Sequence, residues 1–149
     1  MSLKQRISDD IKAAMKAREQ DRLGVLRMLS AAIKQREVDE RIELTDTDVI
    51  ALVEKQIKLR KEAAVQFEAG GRADSAAAER AEIDVLATYL PQALSADEVS
   101  AIIRQAVSQS GAAGPQDMGK VMAVVKPQVA GRTDMAALSA QIRQVLAGA

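Results

Sequence analysis

Three times along this chain a serine or threonine stands three residues ahead of a glutamine or an acid, at the start of an apolar run. The pairs are Ser2 with Gln5, Thr45 with Asp48, and Ser95 with Glu98. At that spacing each of the two side chains can accept from the other residue's backbone N–H, which marks a helix start. Behind each pair the apolar residues recur three and four apart. They are Leu3, Ile7, Ile11, Ala14 and Met15, then Val49, Val53, Ile57, Ala64 and Phe67, then Val99, Ile102, Ile103, Ala106 and Val107. This period belongs to one face of an α-helix, not to a strand.

Stop signals supply the other boundaries. The first helix is predicted to end near Arg18. Asp21 is placed to cap a second, with the seam Leu23, Leu26, Leu29 and Ile33. That stretch is apolar on more than one face and is expected at the centre of a bundle. Gly70-Gly71 stops the third helix. A fourth runs from near Asp74 through Ile83, Leu86 and Leu90 to Pro91, which disfavours helix in the residue before it. Gly111 to Gly114 breaks the chain again, and Pro115 suits a first helical turn. The helix that follows carries Met118, Val121, Met122 and Val125 and is predicted to end or kink at Lys126-Pro127. Gly131 stops this helix, and Thr133 or Asp134 caps a last one with Leu138, Ile142, Val145 and Leu146.

No segment sustains a period of two, and no Asn is present to form Asn-Gly hairpins. Phe67 and Tyr89 are the only aromatic residues, so the core is built from Leu, Ile, Val, Met and Ala, which specify a sheet poorly. The expected architecture is all-α. An N-terminal four-helix domain covers 1–91, and a C-terminal three-helix bundle covers 95–149.

Composition removes several chemistries. With no Cys and no His among 149 residues, neither Ser-His-Asp nor Cys-His catalysis is available, nor is a Cys/His zinc site. No complete phosphate loop of the G-x-x-x-x-G-K-[ST] kind is present either, because Val121 follows the Gly114 to Lys120 spacing where Ser or Thr is needed. No catalytic residue, cofactor or metal is therefore expected. Glu79 and Glu82, three apart on one helix, could offer two carboxylates to Mg²⁺, though such pairs are ordinarily surface. The 21 basic and 21 acidic residues leave no global field toward DNA or an anionic membrane. Without an 18-residue apolar run or a leader-like apolar stretch, the chain is expected off the membrane and in the cytoplasm.

Charge is distributed unevenly. Residues 1–90 carry a near balance, much of it in helix-supporting pairs such as Glu54 with Lys58. Lys55, Lys58, Arg60 and Lys61 read either as a solvated helix face or as a phosphate-binding patch. From residue 91 onward the acids Asp97, Glu98, Asp117 and Asp134 all fall at helix starts, where they complement the dipole. Lys120, Lys126, Arg132 and Arg143 have no such local explanation. Lys126 and Arg132 flank the turn at 127–131, with Lys120 one to two turns back, and could contact phosphates. A lysine at a helix C-terminus also suits the dipole. Gly119, inside an apparent helix, permits close backbone approach by a neighbouring helix (the simpler cause) or by a ligand. Gly131 is a stop signal.

The stretch Asp117-Met118-Gly119-Lys120-Val121-Met122, followed by Ala130-Gly131-Arg132-Thr133-Asp134, resembles the motif of the GatB/YqeY family. Leu26-Arg27-Met28-Leu29, the segments 58–62 and 79–82, and Tyr89-Leu90-Pro91 agree in order. The resemblance implies that 95–149 is similar to the tail of the amidotransferase subunit GatB, which helps hold tRNA while amide transfer proceeds elsewhere. It implies an accessory binder of tRNA or structured RNA. Lys120, Lys126 and Arg132, with Lys58 and Arg60, would meet phosphates, and Gly119 and Gly131 would admit the backbone. A carbon–nitrogen ligase label using glutamine as amido donor also travels with the family, against the residues here. The alternative is a protein-interaction module working through the apolar second helix. Where many members show Lys-Gln-Arg and then a serine, this chain has Lys58-Leu59-Arg60 and Ala63-Ala64. A hydroxyl-dependent role at that place does not carry over.

Overall fold

The computed structural model describes residues 1–148, and among them every regular element is helical. Two compact units divide the chain, Met1–Leu90 and Pro91 onward. The first holds α1 (Leu3–Ala17), α2 (Gln20–Glu40), α3 (Asp46–Ala69) and α4 (Ala73–Ala87). The second holds α5 (Ala96–Ser110), a 3-10 turn at Pro115–Asp117, α6 (Met118–Val129) and α7 (Met135–Ala147).

The capping boxes at Thr45/Asp48 and Ser95/Glu98 form in full. Ser2 caps α1 by accepting from the Gln5 N–H, while the Gln5 amide turns away to Asp9. At the α1–α2 junction Arg18 adopts a left-handed conformation and the Glu19 N–H returns to the Ala14 carbonyl. This turn is so short that α2 begins at Gln20. Asp21 therefore lies in the first turn and makes no capping bond. The fourth helix also stops earlier than the sequence predicts. Thr88 donates its hydroxyl back to the Val85 carbonyl, and the Tyr89 and Leu90 N–H groups bond three residues back. The chain thus tightens before Pro91 instead of continuing as α-helix.

In the first unit α2 packs against each of the other three helices, as its two-faced apolar pattern predicts. Leu26, Val49, Val53 and Leu86 are at most 1% exposed there. In the second unit α6 is the shared element, touching α5, α7 and the 3-10 turn. Of the two outcomes predicted at Lys126-Pro127 an end does not occur: helix α6 runs through the proline to Val129, just before Gly131. A proline inside a helix costs about 3 kcal/mol. Burying a valine returns about 1.5–3 kcal/mol, and Val129 is fully buried while Pro127 faces solvent. The two effects are comparable, and solvent can hydrate the displaced carbonyl. Gly131 then turns the chain at φ +72°, a conformation that favours glycine.

Candidate nucleic-acid interface

The cations singled out in the second unit sit on and beyond α6. Lys120 and Lys126 are both exposed, and six helical residues separate them by about 120° around the axis and about 9 Å along it. They occupy the two sides of the solvent face, opposite the buried stripe Val121, Val125 and Val129. Between them runs a strip of small, exposed residues: Gly119, Ala123 and Pro127. A Cβ built on Gly119 would meet nothing within 4 Å. The packing explanation for this glycine therefore fails, because no neighbouring helix approaches it. Pro127 has no N–H to return to the Ala123 carbonyl, so that oxygen lacks its regular partner on the exposed side of the helix.

Asp117 organises the entry to this face. Its carboxylate accepts from the Ala113 N–H at 2.8 Å and lies 3.6 Å from Lys120 Nζ. The Ala113 N–H is the main cause that holds this carboxyl below its usual range, with Lys120 and the Gly114 N–H adding to it. Lys120 remains exposed and only loosely tethered.

Arg132 has a tie of another kind. Its Nε donates to the Gln92 carbonyl at 3.0 Å, and its own carbonyl accepts from the Leu94 N–H at 2.9 Å. It fastens the 91–95 stretch to the turn after α6 and is half-buried, so only part of its guanidinium faces outward. Gly131 is buried. Its role is the turn, and the expected backbone approach at Gly131 gives way to that role. Arg143 is exposed on α7.

The pair expected on α3 comes apart. Lys58 is exposed, but Arg60, two residues on and so about 200° around the helix, is only 7% exposed. Its Nε donates to Glu82 Oε2 at 2.8 Å and its Nη1 to Gln56 Oε1 at 2.7 Å. A buried guanidinium so engaged has nothing to give a phosphate, and Arg60 leaves the candidate set. Glu82 is accounted for by the same bond, and among the described residues no cluster of three or more potential metal ligands exists.

Tyr89, the one phenol, is 2% exposed and donates to Asp10 at 2.6 Å, with the Arg6 guanidinium 4.9 Å from its ring centre. Burial, reinforced by the hydrogen bond to Asp10, pushes its pKa well up. It stays a neutral phenol at physiological pH and braces α1 against the end of α4.

No helix among the described residues is long and apolar enough to cross a membrane. A family model described as Yqey-like protein matches residues 4–146. An uncharacterized protein of Schizosaccharomyces pombe, C22F3.15, is 33% identical over 79 residues, 53% of this chain and 64% of that protein. The chain thus matches less than two thirds of that relative's length. Altered inheritance of mitochondria protein 41, mitochondrial, of Pyrenophora tritici-repentis is 26% identical over 144 residues, 95% of this chain and 79% of that protein.

Proposed function

Because the chain belongs to the Yqey-like protein family, we propose that it is an accessory module that binds tRNA or another structured RNA through its backbone. In this reading its two units are two domains, an N-terminal four-helix domain and a C-terminal three-helix bundle that carries the RNA face. The observation that carries the proposal is the open side of α6. Lys120 and Lys126 stand on either side of the side-chain-poor strip Gly119, Ala123 and Pro127. Two separated cations suit successive phosphates, and the strip lets a sugar–phosphate backbone approach closely. The Ala123 carbonyl is available to a 2′-hydroxyl, the group that distinguishes RNA from DNA. Aromatic residues for stacking exposed bases are lacking on this face, so recognition is of shape and backbone. The resemblance of 95–149 to an amidotransferase tail supports the same assignment, and cytoplasmic residence belongs to the proposal with it.

With Lys120, Lys126 and the outward part of Arg132 each meeting one phosphate, log affinity falls with log salt at a slope of about −2 to −3. Affinity for tRNA then drops about 30-fold between 50 and 200 mM salt. For a Lys120→Ala/Lys126→Ala variant the drop is about threefold. Arg132 is left intact in this test because it also anchors the 91–95 stretch. Equal slopes for wild type and variant would refute the assignment of this face.

A further inference from the structure

Helices α2 and α4 leave an open trough of about 660 Å³ on the first unit. Gly24, Val25 and Met28 line it from α2, and Ala78, Ala81 and Val85 from α4. The α4 set recurs at helical spacing over about two turns, and Asp21 extends the α2 set to the same length, so the trough runs along both helices. Its outer side is missing: Gly24, Met28, Ala78 and Ala81 are all exposed, Met28 by 58%. A small molecule is normally enclosed over most of its surface, which this shape does not allow. A helix laid lengthwise would fill it.

Gly24 adds a separate observation. It lies inside α2, where glycine is disfavoured relative to alanine. A Cβ built there would meet nothing within 4 Å, so nothing in the fold calls for glycine. A local rule broken without internal compensation is expected at a functional position. The charged residues of the lining are Glu19, Asp21 and Glu82 against the single Arg22. Arg22 is paired with Glu19, and Arg60 lies behind Glu82. Those two pairs leave Asp21 as the unpaired charge of the lining, which disfavours a phosphate and favours a lysine or arginine there.

We propose that the α2/α4 trough docks a helix of a protein partner, one presenting a stripe of small and apolar residues flanked by basic side chains. The partner's stripe packs against Gly24, Ala78 and Ala81 beside Met28, while one of its cations meets Asp21. This site is independent of the RNA face. Loss of one leaves the other intact, and together they would make the chain an adaptor between an RNA and a protein.

The test uses the full chain and two synthetic helical peptides sharing one Ala/Leu stripe, one flanked by lysines and the other by glutamates. The lysine peptide should bind at least about tenfold tighter, with an advantage that shrinks as salt rises. Gly24→Ala should raise the thermal midpoint of the protein yet weaken the lysine peptide at least about fivefold, because the added methyl lies in the path of the docked helix. Asp21→Asn should weaken it less and flatten its salt dependence. Affinity unaffected by Gly24→Ala, equal affinity for both peptides, or binding of neither overturns the proposal. A dimer in light scattering that Gly24→Ala dissociates overturns it as well, because a second copy then fills the trough.

Discussion

Removing Glu82 should damage the protein more than removing the arginine it serves. Arg60 is the one buried charged residue among those described, and Glu82 Oε2 is its only ionic partner. Breaking a fully buried pair from one side costs about 3–5 kcal/mol, and exposed pairs are worth about 0–1 kcal/mol. The side chains here are 8% and 37% exposed, and Gln56 keeps its bond to Arg60 when Glu82 is gone. Glu82→Ala is therefore expected to cost about 1–2 kcal/mol, between those limits. Arg60→Met keeps the buried stem and leaves a carboxylate that water can reach, at a cost under about 1 kcal/mol. The double variant should regain about 1 kcal/mol relative to the sum of the singles. Urea titrations followed by Tyr89 fluorescence isolate the first unit, because the chain has no other Tyr and no Trp. Additivity within about 0.3 kcal/mol, or a harmless Glu82→Ala, would refute the buried-pair reasoning. RNA affinity should be unchanged in Arg60→Met. A large loss there would return Arg60 to the binding site.

Tyr89, raised by burial and by Asp10, contributes stability that is complete below its unfolded value near 10 and is lost as pH rises through the folded value. The phenolate absorption of the native protein should stay flat through pH 11 while the urea-unfolded chain titrates near 10. A native titration at the ordinary value would contradict this. Glu37 behaves in the opposite sense. Lys4, and then the Leu44 N–H, hold its carboxyl below the ordinary 4.5. Its contribution is present above that value and disappears as pH falls through the folded value, so wild type and Glu37→Gln should differ in thermal midpoint at pH 7 and converge in acid. Arg41, exposed and left-handed at φ 55°, ends α2 where glycine is favoured. Arg41→Gly should stabilise by about 0.5 kcal/mol, the relief of strain exceeding the added chain entropy, and a lowered thermal midpoint would contradict it.

The helix boundaries were legible wherever a side chain within three residues satisfies the backbone, as at Thr45 and Ser95. They stayed open where longer-range packing decides, as at Pro127, which is carried inside α6 by the burial of Val129 two residues later. Arg60 shows how a charge can mislead. It was grouped with Lys58 by composition, yet the series Val49, Val53, Ile57, Arg60, Ala64 keeps the three-and-four spacing of the buried stripe, and that signal would have placed it inside. Lys120 and Lys126 needed the wheel of α6 and the burial of its valines before their shared solvent face emerged. The partner of Arg132, Gln92, lies forty residues away, and no local pattern points to it. Gly24 carried a readable signal, a glycine inside a strongly helical run, but the emptiness around it is a fact of three dimensions.

Crosslinking in living cells, followed by identification of the bound RNA and of the peptides attached to it, tests the RNA face most directly. The account predicts tRNA on peptides spanning Met118–Val129, lost in the Lys120→Ala/Lys126→Ala variant. Crosslinks confined to the first unit, or no RNA above the background of an unrelated protein, would contradict it.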